Sequence, residues 1–107
     1  MVIGNAAKLT VEAIVDTGFN GQLCLPIPIA IELGLQLAGV QEIELADGTT
    51  RDELVFTGQA LFEEKAEPRR VRIFLTRATD AMLGTELLQG KTLEVNFKTG
   101  KVCILSR

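Results

Sequence analysis

Asp16-Thr17-Gly18 interrupts an apolar stretch of the chain with one acidic and two small residues. The preceding run Ala13-Ile14-Val15 predicts a strand that enters the core, which would leave the Asp16 carboxylate beside the core at the end of that strand. Burying an acidic group is costly unless it is paired or hydrogen-bonded, so its position favours a chemical role for Asp16. The alternative is an ordinary turn, because Asp and Gly are both common turn residues.

The absence of histidine from the chain limits the chemistry that is open to it. Ser-His and Cys-His nucleophile pairs and His-ligated metal sites are excluded, so hydrolysis would have to use carboxylates, lysine or hydroxyl groups. Two carboxyl groups can divide this task, one taking a proton from water and the other donating a proton to the substrate. Asp-Thr-Gly occurs once in the chain, so the second carboxyl group would come from a second copy across a twofold axis.

The segment Ala13-Ile14-Val15-Asp16-Thr17-Gly18 resembles the active-site signature of the aspartic peptidases. Met82-Leu83-Gly84 resembles the second, apolar-apolar-glycine signature of the same group. Further stretches look like the small single-Asp retropepsin-like peptidases, specifically the bacterial clan AA aspartic protease branch: residues 16–21, Leu25-Pro26, Leu33-Gly34-Leu35 and Leu45-Ala46-Asp47-Gly48. The resemblance covers most of the chain. It implies an all-β fold, a small closed β-barrel-like acid-protease (retropepsin) protomer with one or two short helices.

The same resemblance implies a role for each matching residue. Asp16, Thr17 and Gly18 would form the catalytic loop, with the Thr17 hydroxyl bonding across the dimer axis and Gly18 letting the backbone approach the partner. Leu83 and Gly84 would support that loop from below. Ala46, Asp47 and Gly48 would form the tip of a flap over an extended polypeptide substrate. Asp80 precedes the second signature, but the family pattern gives it no role.

The resemblance further implies an aspartic endopeptidase that acts as a homodimer, without a cofactor or metal. The N-terminal residues and the strand over Val102–Leu105 are expected to contribute to the dimer interface. A second interpretation stays open, in which a dimeric domain of this fold binds peptides or assembles without catalysis, because fold alone does not fix function.

Short strands with regular turns are expected to position these residues in one domain over residues 1–107. The predicted strands lie over residues 9–15, 23–25, 41–45, 54–61, 71–75, 92–97 and 101–105, and the predicted helices over 28–34 and 85–88. Asp47-Gly48 predicts a hairpin turn, because this pair readily adopts positive φ angles. The charged segment Glu63–Arg70 predicts an exposed turn. Strand, polar break and short helix occur in the same order over residues 11–35 and 71–90, which indicates two related half-units.

Composition argues against several other classes of function. A net charge of −3 is unsuited to nucleic acid as the main partner, because phosphate binding needs a concentrated basic surface. No apolar run approaches the roughly 20 residues that cross a bilayer, and the N-terminal residues do not resemble a signal peptide. Cys24 and Cys103 are far apart in sequence, which favours two free packing thiols, although a disulfide is open to them. We therefore expect a cytoplasmic protein with no nucleic-acid or membrane partner.

Overall fold

The computed structural model of the chain describes residues 1–62 and 67–105. Strands make up 51% of these residues and helices 11%, which confirms that the protein is mostly β. The strands are β1 (Val2–Ile3), β2 (Lys8–Leu9), β3 (Ala13–Val15), β4 (Leu23–Pro26), β5 (Gln36–Glu44), β6 (Thr50–Ala60), β7 (Arg69–Thr76), β8 (Ala81–Leu83), β9 (Thr92–Asn96) and β10 (Lys101–Leu105). The helices are α1 (Ile27–Leu33) and α2 (Thr85–Leu88).

One curled sheet contains eight of the strands, in the order β2-β1-β6-β7-β4-β8-β3, with β5 added to β6. The strands β9 and β10 form a separate antiparallel hairpin. In residues 1–62 and 67–105 the two ends of the sheet, β2 and β3, do not pair with each other, so the sheet is a curled half-barrel. The sequence predicted a closed barrel, whereas the sheet of the described residues is open within the single chain.

Two half-units related by an approximate twofold arrangement build the centre of the sheet. The first is β3, a polar loop, β4 and α1, and the second is β7, a polar loop, β8 and α2. The first strand of each unit pairs in parallel with the second strand of the other, as β3 with β8 and β7 with β4. The two second strands, β4 and β8, pair antiparallel with each other. The repeated pattern in the sequence therefore corresponds to a real exchange of strands between half-units.

The core lies on one face of this sheet and is almost entirely aliphatic. The most completely buried side chains are Leu25, Leu33, Val71, Ile73 and Leu87. Helix α1 packs against this core through Leu33, and Ile29 packs against it as well. Its ends follow the prediction, since proline stands at its start and Gly34 adopts φ +66° just past its end, donating to the carbonyls of Ala30 and Ile31.

Several boundaries differ from the sequence prediction. The single strand predicted over residues 9–15 is wrong, because Lys8–Leu9 pairs with β1 whereas Ala13–Val15 pairs with β8. The two strands of the predicted flap hairpin are longer than predicted. Gln36–Glu44 pairs antiparallel with residues 50–57, and the register shifts between Leu37 and Gly39. Of the exposed turn predicted over 63–70, residues 63–66 lie outside the described part, and Arg69 and Arg70 already belong to β7.

Helix length also bears on the membrane prediction. Within the described ranges, neither helix is long and apolar enough to cross a membrane.

Candidate active site

The loop over residues 16–22 joins β3 to β4 and holds Asp16 in a tight turn. The backbone N–H of Gly18 donates to Asp16 Oδ1 at 2.9 Å, and the N–H of Phe19 donates to the Asp16 carbonyl at 3.1 Å. The N–H of Asp16 itself donates to the carbonyl of Leu83 at 2.9 Å. Asp16 is half-buried, and its carboxylate orientation is fixed from within its own turn.

The strand that carries Asp16 is less buried than the sequence predicts. Ala13 and Ile14 are exposed, and Ile14 retains 55% of its accessible surface. The reason is that, within the described residues, β3 is an end strand of the sheet and pairs only with β8. The Asp16 turn therefore stands at an edge of the sheet, where another chain can reach it.

Residues 84–86 support the loop from below through their backbone. Gly84 N–H donates to the carbonyl of Gln22 at 2.9 Å, Thr85 N–H to that of Phe19 at 2.9 Å and Glu86 N–H to that of Gly21 at 3.2 Å. A Cβ on Gly84 would lie 2.2 Å from the Gly21 carbonyl oxygen and 2.7 Å from that of Phe19. Glycine is therefore required by the close approach of two backbones.

Gln22 is a positioning residue that the sequence prediction missed. Its side-chain Oε1 accepts the backbone N–H of Arg72 at 2.6 Å, so the amide continues the β4–β7 ladder by one position beyond Leu23. Its Nε2 lies 3.5 Å from Glu86 Oε1, and the same carboxylate forms an ion pair with the Arg72 guanidinium. This network ties the end of the loop to both β7 and α2. A lone glutamine beside an apolar run gives no sequence signal for contacts 50 and 64 residues away.

The second half-unit has a turn of the same kind, but a hydroxyl takes the place of the Asp16 carboxylate. In the β4–β7 pairing, Thr76 lies opposite Pro26, the residue before α1. In the β3–β8 pairing, Val15 lies opposite Leu83, so Asp16 and Gly84 are the next residues of the two strands, and Gly84 is the residue before α2. The Thr76 hydroxyl accepts the N–H of Ala78 two residues later at 3.0 Å, as Asp16 accepts that of Gly18. The structural counterpart of Asp16 within the chain is therefore a threonine and not Asp80.

The hairpin of β5 and β6 carries the predicted flap tip. Gly48 adopts φ +84°, and Thr49 donates to Asp47 Oδ1 from its hydroxyl at 2.6 Å and from its backbone at 3.0 Å. These hydrogen bonds, the hydroxyl bond first, lower the pKa of Asp47 below its ordinary value of 3.8. The carboxylate thus stabilises the turn that forms the tip.

A groove of about 530 Å³ separates the loop from the flap hairpin. Gly18 and Phe19 line one side and Ala46 the other, whereas Asp16, Asp47 and Gly48 are not among the lining residues. Phe19 and Phe74 meet edge to face in this groove, with ring centroids 6.3 Å apart. Of the predicted site residues, the structure brings Asp16, Gly18, Leu83 and Gly84 together. The flap tip lies across the groove from them, and Thr17 is exposed on the loop.

Metal ligation and thiol chemistry find little support in the described residues. Among residues 1–62 and 67–105 no group of three or more acidic, Cys or His side chains could hold a metal ion. Both cysteines are free thiols, and burial, followed by the negative charge of Glu53, raises the pKa of Cys24 above its ordinary value of 9.0. In the loop over residues 16–22, the ionisable side chain is the Asp16 carboxylate.

No protein-family model matches the sequence, and neither a curated protein nor a solved structure matches this chain.

Proposed function

We propose that the chain is one protomer of a homodimeric, retropepsin-like aspartic endopeptidase, in which Asp16 of each copy provides one half of the catalytic dyad. The observation that carries the proposal is the Asp16 turn itself. Its carboxylate is oriented by the Gly18 N–H, and its backbone rests on Leu83 and on the glycine-dependent crossing at Gly84. Ordinary exposed turns have no need for a second chain segment packed beneath them.

The dyad would hydrolyse a peptide bond without a metal or a covalent intermediate. Two carboxyl groups a few ångström apart share one proton, because both cannot ionise together. The ionised Asp16 takes a proton from a water molecule as its oxygen attacks the peptide carbonyl carbon. The protonated Asp16 of the second copy gives its proton to the carbonyl oxygen. Collapse of the tetrahedral intermediate then breaks the C–N bond: the first Asp16 gives the proton that it took from water to the leaving amine nitrogen, and a hydroxyl of the intermediate returns a proton to the second Asp16 as the carbonyl re-forms.

The groove beside the loop supports the proposal that the substrate is a polypeptide. It is open, about 530 Å³ in volume, and lies between the loop over residues 16–22 and strand β5. In the described part of the chain β5 pairs only with β6, so its other edge retains unpaired N–H and C=O groups. An extended peptide can add to such an edge by main-chain hydrogen bonds.

The direct test compares Asp16→Asn with Asp80→Asn, each of which removes one negative charge with little change of shape. Purified wild-type protein, incubated with a diverse peptide library across acid to neutral pH, is expected to yield defined cleavage products by mass spectrometry. Asp16→Asn should lower kcat/KM at least about 1000-fold, as expected for loss of acid–base catalysis. Asp80→Asn should retain wild-type cleavage, because Asp80 is exposed on the loop between β7 and β8 and is not the counterpart of Asp16.

A non-catalytic peptide-binding dimer is the second candidate, and the free edge of β5 favours it independently of Asp16. The two candidates differ in the expected result. If a peptide that binds the folded dimer is never cleaved at any pH, and Asp16→Asn binds it equally well, the chain is a binding domain and the peptidase proposal is wrong.

A further inference from the structure

The hairpin of β5 and β6 carries different charges on its two faces. Side chains alternate along a strand, so Glu42 and Glu44 belong to one face and Gln41 and Ile43 to the other. Strand pairing puts Asp52 opposite Glu42, which adds a third carboxylate to the first face. In the part of the chain that the structure describes, none of these three carboxylates forms an ion pair. This surface, the acidic face, therefore has like charges directly opposite each other, an arrangement that is unfavourable without a positively charged partner.

The opposite face of the hairpin is balanced in charge. Arg51 lies opposite Ile43 in the pairing of the two strands, and its guanidinium forms an ion pair with the carboxylate of Glu53 on the same strand. Ile43 is half-buried and lines the groove together with Phe19 and Phe74. This face therefore presents apolar surface and a neutralised ion pair, in contrast to the acidic face.

The free edge of β5 borders the groove of about 530 Å³. Residues 41–46 all line the groove, and within the described residues β5 pairs only with β6. The side chains of a strand that is added to this edge alternate in step with those of β5. Every second side chain of the added strand would lie beside Glu42 and Glu44, and the side chain between them would lie beside Ile43.

We propose that the groove selects extended peptides that carry basic side chains at two alternate positions with an apolar side chain between them. The basic side chains pair with Glu42 and Glu44, and the apolar side chain packs beside Ile43. This inference rests on the proposed function, which puts an extended polypeptide in the groove. It goes beyond that function by naming the class of peptide and the residues that select it.

The charges that line the groove favour this occupant. Glu42 and Glu44 both line it, whereas the positive charge of Arg72, which also lines it, is offset by the ion pair with Glu86. A lysine or arginine side chain can lay its methylene stem along apolar surface while its charged end reaches a carboxylate. An acidic peptide would instead add like charges beside Glu42 and Glu44.

The test measures peptide binding by fluorescence anisotropy at low salt, with Asp16→Asn protein so that a bound peptide is not cleaved. Three labelled peptides share the flanking residues Thr-Val and Val-Thr, and their central residues are Lys-Leu-Lys, Lys-Lys-Leu or Gln-Leu-Gln. The first can put both lysines on the acidic face, whereas the second can put only one there. Each cross-strand charge pair is expected to contribute about threefold in affinity. The Lys-Leu-Lys peptide should therefore bind about 10-fold more tightly than Gln-Leu-Gln and about threefold more tightly than Lys-Lys-Leu.

Two double variants test the protein side of the contact. Glu42→Gln with Glu44→Gln removes two carboxylates from the groove lining. Glu32→Gln with Glu94→Gln is the matched control, since it removes the same net charge from exposed positions on α1 and β9, outside the groove. The preference for Lys-Leu-Lys over Gln-Leu-Gln should fall to within about twofold in the first variant and stay near 10-fold in the control. Circular dichroism establishes that each variant is folded.

The peptide pair with two lysines separates strand pairing from general attraction between opposite charges. Both peptides have the same charge and composition, so equal affinities would overturn the inference whatever the variants do. A preference that survives in folded Glu42→Gln with Glu44→Gln would also overturn it, and so would a preference that is lost equally in the control. Failure of all three peptides to bind would overturn it as well.

The design separates this inference from the proposed function. If the Lys-Leu-Lys peptide binds selectively but the wild type cleaves no peptide, the selectivity is correct and the peptidase proposal is wrong. If the wild type cleaves library peptides that show no excess of basic residues at alternate positions, the peptidase proposal holds and the selectivity that we infer is wrong.

Discussion

Replacing Gly84 with alanine tests the backbone crossing on which the candidate site depends. A methyl group at this position would lie 2.2 Å from the Gly21 carbonyl oxygen, 2.7 Å from the Phe19 carbonyl oxygen and 2.8 Å from the Phe19 ring. Contacts of a real Cβ below 3.0 Å are essentially never seen, so the two backbones must separate by at least 0.8 Å. The obstacle is backbone, which cannot turn aside as a flexible side chain can.

The expected cost can be worked from these contacts. Overpacking of this kind typically costs about 1–3 kcal/mol. The separation also stretches three hydrogen bonds, from Gly84, Thr85 and Glu86 to the loop, each with a net value of about 0.5–1.5 kcal/mol. The total is the overpacking cost plus part of the loss from the three hydrogen bonds. We therefore expect Gly84→Ala to lower the free energy of unfolding by about 3 kcal/mol or more. A displacement of this size would also lower peptide cleavage by about 100-fold.

Gly90→Ala is the matched control for this substitution. Gly90 adopts φ +77°, which costs an alanine about 1–2 kcal/mol, but a Cβ there meets nothing within 4 Å. Both variants lose the same backbone freedom in the unfolded chain, so that contribution cancels when they are compared. Denaturant unfolding at one fixed protein concentration gives the free energies, because dimerisation would make them depend on concentration.

Hydrogen exchange of the Thr85 and Glu86 amides reports on the loop contacts independently of any activity. Faster exchange at these amides is expected in Gly84→Ala and not in Gly90→Ala. If Gly84→Ala is no less stable than Gly90→Ala and protects both amides as wild type does, the close crossing that we describe does not exist.

Two further predictions concern the Gln22 network and the flap tip. Gln22→Met keeps the length of the side chain but removes the acceptor for the Arg72 N–H, so we expect a loss of about 1–3 kcal/mol in stability and a fall in kcat larger than any rise in KM, measured by unfolding and steady-state cleavage. Unchanged stability would remove Gln22 from the support of the loop. Thr49→Val removes the hydroxyl that lowers the pKa of Asp47, so carbon-detected NMR titration should find that pKa nearer 3.8 than in the wild type. Because the folded pKa is depressed, the carboxylate stabilises the turn above pH 3.8 and loses this contribution as the pH falls through the folded pKa; an identical titration in Thr49→Val would contradict this account.

Local signals in the sequence were sufficient for the elements whose ends are fixed by single residues. Helix α1 begins at proline and ends before Gly34. Proline favours the first turn of a helix, where its missing N–H is not needed, and glycine adopts the left-handed conformation that ends the helix. Asp47-Gly48 predicts the flap turn for a similar reason. The half-units were also visible as a repeated order of strand, polar break and helix.

Features that depend on pairing between distant segments could not be read in this way. Residues 9–15 have the composition of one strand, but two different partners, β1 and β8, divide them. Ala13 and Ile14 are apolar and were expected to be buried, yet they lie on an end strand, and only the sheet order reveals that. Gln22 looks like a solvated polar residue until Arg72, 50 positions later, is brought beside it.

The two half-units explain why one chain would supply only half of a dyad. Where the first unit has Asp16, the second has Thr76, whose hydroxyl holds the same kind of turn through Ala78. Where the second unit has Gly84 beneath the loop, the first has Pro26, which has no N–H to donate. The hydrogen bond that the Gly84 N–H donates to the Asp16 loop therefore has no equivalent at Pro26. Under the proposed function, the twofold relation inside the chain does not supply a second carboxylate, so the second carboxylate would come from Asp16 of another chain.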